Sequence, residues 1–459
     1  MSTRHDDGSP ASGRSPTSDK IWCSSSETSF LSGVRDGCIR FKLTYWNGSY
    51  AVAFISFVGL VVCMEQYRFW TLWTDRAEIN NHWVILFMIG FASTVASMTS
   101  GILACIYPAH NMFAVSVALS SVTHLLGLTI ADTSHIVFDS FSVIILCQFM
   151  TIAMALPAFH GIWTTWPLPL GRRSIRHVPI VLYYALYQNS YSYFFDLETV
   201  NDLKYLSYAI GAIGLLWSGI LWVYVVRKTN TRAHHLSATQ KLLNIPWKSI
   251  CSSKPVHAIV VANICEALGY SFDYMFLIST QIQQKGRSVN VLISVSILFV
   301  VFLVELFPEI NCFSTACVRK FWSCLFFSSR AAFHLLYLSF PYDVEKHFNW
   351  FVDVYNAIGV LYCFGFVVNH LDISPRYASL LIGFMETVKH ICHLFFATFF
   401  HVNLYEQILH AYEISALVSI AYIAAAIFYA VYASGVSQSW ATTNNGMSSS
   451  RHRWNNLFV

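Results

Sequence analysis

The sequence predicts an all-helical membrane protein in which twelve transmembrane helices form two halves of six. Of its 459 residues, 55% are hydrophobic and 11% are charged, whereas soluble globular domains carry roughly 25% charged residues. Apolar runs of about 20 residues, the length that a helix needs to cross a hydrocarbon core, recur along the chain. A long polar stretch, Arg227 to Lys254, divides these runs into two sets. This composition excludes soluble enzymes, disordered proteins and nucleic-acid-binding proteins.

The first part of the chain is predicted to be a polar tail followed by a six-helix bundle. Residues 1–48 are rich in Ser, Asp, Arg and Gly and lack the apolar run of a signal peptide, which predicts a disordered cytosolic tail. Residues 49–226 are predicted to form the first bundle. Its spans, numbered one to six in chain order, are predicted at Tyr50–Phe69, Trp83–Ile106, Met112–Ala131, Val137–His160, Val178–Phe195 and Tyr205–Val226.

The second part repeats this pattern. Residues 227–255 are predicted to form a cytosolic loop, residues 256–436 the second bundle and residues 437–459 a cytosolic C-terminal tail. Spans seven to twelve are predicted at Val256–Thr280, Val289–Leu306, Phe321–Phe340, Trp350–Val368, Tyr377–Phe400 and Ile414–Ser434. The two bundles are therefore predicted to be pseudo-symmetric halves.

The positive charges predict how the protein lies in the bilayer. About 20 of the 28 Lys and Arg residues fall in the tails and in the loops on one side, which predicts that both termini are cytosolic. The loops on the other side are short, so no extracellular domain that binds a large partner is expected. The expected partners are the lipid bilayer and a small solute, and we expect a monomer. No Cys/His zinc spacing, phosphate loop or nucleophile motif occurs, so neither an enzyme nor a cofactor is expected.

Six spans, a basic loop and six further spans are the layout of a major facilitator transporter. The most specific motif is NHLDISPRYASLLIG, Asn369 to Gly383, at the predicted joint between spans ten and eleven. Two others are PAFHGIWTTWPLPLGR, from Pro157, and IPWKSICSSKPVHAIVVAN, from Ile245. These stretches resemble the organic-anion transporter family of the major facilitator superfamily, which includes sialin, the vesicular glutamate transporters and sodium/phosphate cotransporter relatives. Within this family, the sequences of these stretches are most similar to those of the vesicular glutamate transporters.

The resemblance implies secondary active transport of a small organic anion similar to glutamate or sialic acid. Transport by alternating access would be driven by the membrane potential or by a proton gradient, as symport with H⁺ or Na⁺. The membrane would be vesicular, lysosomal or the plasma membrane.

The motif at Asn369 contains a charged cluster that suggests a conformational joint. Asp372 and Arg376 flank Pro375, which ends one helix and starts the next, so the cluster could lock neighbouring helix ends in one conformation and release them in another. The alternative is structural, with Arg376 as a positive-inside anchor and Asp372 as its ion-pair partner.

Several family charges are replaced in this sequence. The family carries an arginine and a glutamate in span four at the positions of Ile145 and Ile152, and the glutamate transporters carry an arginine at the position of Glu266. The charged loop between spans two and three is also lost. These changes leave two alternatives open: a non-transporting paralogue that acts as a membrane interaction or regulatory protein, and a transporter whose substrate has become cationic or zwitterionic.

New polar faces replace the lost charges. On span eleven Glu386, Lys389, His390 and His393 share one helix face, which suggests a proton or substrate pathway. A metal site at Glu386, His390 and His393, or a Glu386–Lys389 ion pair with hydrogen-bonded histidines, are the alternatives.

Spans one, five and seven supply the other candidate pathway residues. On span seven, Glu266 and Asp273 share a face with Asn263 and Tyr270, while Glu65 and Arg68 lie three residues apart on span one. Arg68 could pair with Glu65 or, across the cavity, with Glu266. The tyrosines of span five, Tyr184, Tyr187 and Tyr191, line the cavity or pack in the bundle.

Overall fold

The structure is a computed structural model that describes residues 52, 55–67, 69–70, 82–132, 138–165, 200–221, 238–281, 314–339, 354–355, 358–402 and 411–442. All regular secondary structure in these ranges is helical, which confirms the predicted fold class. Predicted spans five and eight lie outside the described residues, as do Arg68, Tyr184, Tyr187 and Tyr191. Asp273 lies in a described helix, but its side chain is outside the description.

Helices occupy the other predicted spans of the first half. Span one contains the apolar helix Ile55–Tyr67. Spans two, three, four and six are the helices His82–Ile106, Ala109–Asp132, Phe138–Thr165 and Val200–Leu221. Because a hydrocarbon core offers no hydrogen-bond partners to the backbone, these apolar sequences satisfy their peptide groups as helices.

Only Tyr107 and Pro108 separate the helices of spans two and three. The Tyr107 N–H still donates to the Leu103 carbonyl at 2.8 Å, and the Asn111 N–H already donates to the Pro108 carbonyl at 3.0 Å. Pro108 is tolerated here because the N–H groups at the start of a helix have no partner within the helix, so the missing N–H of a proline costs no hydrogen bond. This connection has no room for a charged loop.

The second half contains spans seven and nine to twelve among its described residues. Span seven is Lys254–Gln281, span nine Thr315–Ser339, span eleven Ala378–Val402 and span twelve Ala411–Tyr432. Span ten is a 3₁₀ segment, Val360–Phe364, followed by the α-helix Phe366–Ile373, and a 3₁₀ turn, Pro375–Tyr377, leads into span eleven.

The predicted bounds of spans nine and ten are corrected by the structure. Span nine begins six residues before the predicted Phe321, because the Ser314 hydroxyl accepts a hydrogen bond from the Cys317 N–H at 3.2 Å and caps the helix. Span ten was predicted to end at Val368 but continues to Ile373. Asn369 and His370, which follow Val368, are fully buried against neighbouring helices, so they do not end the helix.

Gly365 breaks span ten where it meets span nine. A Cβ atom at this position would lie 2.3 Å from the Ser323 hydroxyl oxygen and 2.9 Å from the Ser323 nitrogen. Only a glycine allows the two backbones to approach this closely. Below the break, Phe366 stacks on Phe327 with ring centroids 5.3 Å apart, which holds the two helices together.

The described part of the central loop contains two short helices, Ala238–Leu243 and Trp247–Cys251. The Lys241 ammonium donates to the Ile106 carbonyl at 2.8 Å, at the end of span two. This contact places a positive charge at the negative end of a helix. The Tyr377 hydroxyl donates to the Asn244 carbonyl at 3.4 Å, so this part of the loop contacts both halves.

Spans two and eleven pack closely across the boundary between the halves. A Cβ atom on Gly383 would lie 2.6 Å from the Ser97 carbonyl oxygen and 2.9 Å from the Gly101 Cα. One turn further along span eleven, the Thr387 hydroxyl donates to the Thr94 carbonyl at 3.2 Å. Small residues at such positions let helices associate in a membrane by backbone contact.

The outer faces of the helices are apolar. Phe91 of span two, Leu216 of span six and Ile420 of span twelve have exposed fractions of 58%, 70% and 63%. Six described helices are long and apolar enough to cross a membrane. Exposed apolar side chains on such helices are the surface that lipid covers, which is the arrangement of an integral membrane protein.

Candidate functional site

A buried ion pair joins the middle of spans seven and eleven. The Lys389 ammonium nitrogen lies 3.3 Å from Glu266 Oε2, and 13% and 11% of the two side chains are exposed. Charges at this depth are costly unless they are paired, which explains why Glu266 and Lys389 lie together. Both residues were predicted to lie on pathway faces of their helices, but not to pair with each other. Because Arg68 is outside the described residues, its own pairing remains a prediction.

Glu266 is close to its partner but is not fully satisfied. Among the described residues, no donor makes a hydrogen bond to its buried Oε2, because the approach of Lys389 is close without being well aligned. Asn263, one turn earlier, uses its amide to donate to the Ile259 carbonyl at 2.8 Å. The carboxylate therefore retains acceptor capacity inside the bundle.

Glu386 lies near the ion pair. It precedes Lys389 by one helical turn on span eleven and is close enough to interact electrostatically with both Lys389 and Glu266. Among the described residues, no donor makes a hydrogen bond or an ion pair with its carboxylate. With both carboxylates ionised, the three groups carry one net negative charge.

The two histidines of span eleven differ in their surroundings. His393 Nδ1 lies 2.9 Å from the Ser271 hydroxyl of span seven, and its ring contacts Tyr270 edge-on at 5.2 Å. His390 is half-buried on the same helix. Within the described ranges, no three His, Cys, Asp or Glu side chains are arranged to hold a metal ion. The polar face thus continues from the ion pair along spans seven and eleven.

The charged cluster at the joint is built differently from its prediction. Asp372 Oδ2 accepts a hydrogen bond from Arg319 Nε at 2.6 Å, and the same guanidinium donates to the Phe364 carbonyl at 2.8 Å. The proposed Asp372–Arg376 pair is therefore wrong. Arg376 lies beyond the turn at Pro375, where it is exposed and lies 5.4 Å from the Tyr377 ring.

Asn369 ties the same segment to span twelve. Its side-chain amide donates to the Tyr429 hydroxyl at 2.8 Å, and Asn369 is fully buried. Together with the Arg319–Asp372 pair, this bond fixes the end of span ten to spans nine and twelve. The joint motif is thus packed within the second half.

Two buried histidines connect the halves. His160 Nδ1 of span four lies 2.8 Å from His370 Nε2 of span ten, so one ring donates a hydrogen bond to the other. This contact was not predicted from the sequence, although both histidines lie in the motifs that carried the resemblance. The sequence feature that could have indicated this contact is a histidine inside an apolar span, because such a side chain needs a polar partner.

A second missed feature is a network of amides and hydroxyls inside the first half. Gln66 of span one donates to the Ser121 hydroxyl at 3.0 Å and accepts from Ser120. Gln148 of span four donates to Ser120 at 3.1 Å. All four side chains are buried. Because these groups satisfy one another, the network joins spans one, three and four rather than offering open binding groups.

The isoleucines at the family's charge positions pack as ordinary core residues. Ile145 is fully buried in a cluster with Phe69, Trp70 and Phe149, and Ile152 is 6% exposed. An arginine at position 145 would be surrounded by apolar side chains. This part of span four therefore presents packing rather than an anion contact.

Comparisons with known proteins identify what this arrangement resembles. No protein-family profile matches the chain. It is 26% identical over 383 residues to vesicular glutamate transporter 2 of Homo sapiens, covering 76% of this chain and 64% of the relative. It is 25% identical over 387 residues to vesicular glutamate transporter 3 of Danio rerio, covering 76% of this chain and 63% of the relative. The match thus spans less than two thirds of the length of these relatives.

Solved structures with the same helical arrangement decide the fold. The proton:xylose symporter XylE, a major facilitator superfamily protein, matches with a TM-score of 0.57 at 10% identity over 83% of this chain and 95% of its own. The chain therefore has the fold of the major facilitator transporters. A bacterial homologue of the iron transporter ferroportin in an outward-facing state also matches the chain, with a TM-score of 0.60 at 10% identity, over 82% of this chain and 98% of its own.

Proposed function

We propose that the protein is a secondary active transporter that moves a small organic solute across a membrane by alternating access. The observation that carries this proposal is the buried Glu266–Lys389 ion pair, midway along spans seven and eleven. A major facilitator fold binds its solute between the halves near the middle of the membrane. Charges at that depth are costly, so a binding role accounts for their presence better than stability does.

Similarity supports an organic anion, such as glutamate or sialic acid, as the first substrate class to test. The relatives at 25–26% identity are named vesicular glutamate transporters. In this proposal the protein is a monomer with both termini in the cytosol, and residues 49–226 and 256–436 are the two halves that move. Transport is driven by the membrane potential or by symport with H⁺ or Na⁺. The membrane is vesicular, lysosomal or the plasma membrane.

A non-transporting role in membrane interaction or regulation is the second candidate. It is favoured by the apolar packing of Ile145, which removes a charge position of the family, and by the two-residue connection at Tyr107 and Pro108. The Glu266–Lys389 pair argues against it, since two charges buried midway along spans seven and eleven are costly and a binding role accounts for them.

Uptake into proteoliposomes tests the proposal. Labelled glutamate, sialic acid, and neutral and cationic amino acids are offered under an imposed potential and, separately, under an imposed pH gradient. We expect saturable uptake of at least one solute, and loss of that uptake in the Glu266→Gln variant. Lys248→Met, at an exposed loop position, is the matched control and should transport normally. Absence of uptake by folded protein would support the non-transporting role.

A further inference from the structure

We propose that the Glu266–Lys389 pair is a receptor for the zwitterionic head group of an amino acid whose side chain is neutral or cationic. This inference rests on the proposed transport function and names its substrate class. The substrate's ammonium would bind Glu266, and its carboxylate would bind Lys389.

The geometry of the pair suits such a head group. Glu266 Oε2 and Lys389 Nζ lie 3.3 Å apart, so the site presents a negative and a positive group side by side. An amino acid carries its ammonium and carboxylate on neighbouring atoms, in the same close juxtaposition. A zwitterion can therefore bind with its ammonium against Glu266 and its carboxylate against Lys389. This replaces one ion pair by two without adding net charge to the membrane interior.

The hydrogen-bonding state of Glu266 favours the same ligand. Its Oε2 is buried and accepts no hydrogen bond from the described residues, although Lys389 is close. A buried carboxylate oxygen without a well-aligned donor is unfavourable. An ammonium has three donors and could supply the missing hydrogen bond to Glu266.

Glu386 restricts which side chain the amino acid can carry. It precedes Lys389 by one turn on the same helix face of span eleven and so adds a second carboxylate beside the pair. An ionised side-chain carboxylate on the substrate would meet this negative charge in a medium of low dielectric constant. Neutral and cationic side chains avoid the repulsion, so the site should discriminate against glutamate.

Glutamine and glutamate provide a matched pair of probes. They have almost the same shape, but glutamate carries an ionised carboxylate where glutamine carries an amide. We expect L-glutamine or L-lysine to stabilise the purified full-length protein against heating at concentrations at least tenfold below those that L-glutamate requires. The methyl ester of the effective amino acid lacks the free carboxylate and should fail, as should its des-amino acid.

Variants separate recognition by the pair from a general effect on folding. Glu266→Gln combined with Lys389→Met removes both charges together, so neither remains buried without a partner. This double variant should remain folded and bind the amino acid at least tenfold more weakly, since each lost charge-assisted bond alone accounts for roughly that factor. The exposed-site variant Lys248→Met should bind normally. Folding is checked by size-exclusion chromatography and by melting without ligand.

The outcomes distinguish this inference from the transport function on which it rests. Uptake of sialic acid or glutamate, without binding or uptake of neutral or cationic amino acids, would leave transport standing and overturn the zwitterion site. Normal amino-acid binding in the folded double variant would also overturn it. Failure of every solute in both assays would remove the transport function itself. If the double variant does not fold, uptake by the wild-type protein of glutamine but not its methyl ester still decides the question.

Discussion

Individual charged residues in this protein are distinguished by whether their partners are buried with them. Arg319 is 4% exposed and bonds both Asp372 and the Phe364 carbonyl, whereas Arg376 is exposed beside the Tyr377 ring. Two arginines near the same joint therefore have different energetic roles. The first is part of the packing of the second half, and the second faces outwards.

Removing one member of the buried pair should be much more damaging than removing the exposed arginine. Asp372→Asn removes the charge that Arg319 Nε contacts at 2.6 Å, and breaking a buried ion pair typically costs about 3–5 kcal/mol. We expect a marked fall in the melting temperature of the detergent-solubilised protein. Arg376→Gln is the control and should change stability by less than about 0.5 kcal/mol, as exposed substitutions do. Equal effects of the two variants would contradict this assignment.

Glu386 should determine selectivity rather than binding as such. Glu386→Gln removes one negative charge beside the Glu266–Lys389 pair, so the repulsion of a second substrate carboxylate disappears. We expect the affinity for L-glutamate, relative to L-glutamine, to rise about tenfold, which corresponds to about 1.4 kcal/mol. Competition binding measures the ratio. Glu413→Gln, at an exposed carboxylate of span twelve, should leave the ratio unchanged.

At the scale of elements, glycines determine how closely helices pack. Gly383 contacts the backbone of span two through Ser97 and Gly101, and Gly365 contacts the backbone of span nine through Ser323. In both cases the nearest atoms include backbone, which cannot move aside as a flexible side chain can. The distance between these packed helices is therefore determined by glycines, which lack a side chain, as well as by the side chains at the contact.

Adding a single methyl group to span eleven should disturb its packing against span two. In Gly383→Ala the new Cβ would lie 2.6 Å from the Ser97 carbonyl oxygen, and overpacking of this kind typically costs about 1–3 kcal/mol. We expect a lower melting temperature. Gly219→Ala is the matched control, because no atom of the described residues lies within 4 Å of a Cβ at that position, and the added methyl should be neutral or slightly stabilising. A stable Gly383→Ala variant would show that the helices readjust.

The sequence predicted the elements better than their contacts. Apolar length identified the spans, since a helix must be long enough to cross the hydrocarbon core. Apolar length gave the wrong start for span nine, predicted at Phe321, because a serine caps the helix earlier. It also gave the wrong end for span ten, predicted at Val368, because the polar side chains that follow are buried and the helix continues. Residue spacing placed Glu266 and Lys389 on the faces of their own helices. It could not predict that they meet, because the rotation of one helix against another depends on packing between them.

At the scale of the whole molecule, the two halves are joined at the predicted cytosolic end. His160 and His370 share a hydrogen bond of 2.8 Å, and Gly101 and Gly383 bring spans two and eleven together. In the proposed transport cycle, these contacts would have to separate when the solute is released on that side. The structure thus corresponds to a conformation closed at this end.

Locking the histidine contact should stop transport reversibly. In a variant carrying His160→Cys and His370→Cys, a short bifunctional methanethiosulfonate reagent should connect spans four and ten and abolish uptake. Reduction of the cross-link should restore it. Each single cysteine variant, treated in the same way, controls for modification of the native cysteines. Continued uptake by the fully cross-linked protein would show that this end does not open during the cycle.

The contact of Lys241 with the end of span two has a mechanical consequence for the central loop. Lys241 is bonded to the Ile106 carbonyl of the first half at 2.8 Å, while span seven of the second half begins at Lys254. If Lys241 stays attached while the halves part, the chain between these two lysines must take up the whole displacement. The length of the segment that contains the helix Trp247–Cys251 and the turn before it would then limit how far the two halves can separate at this end.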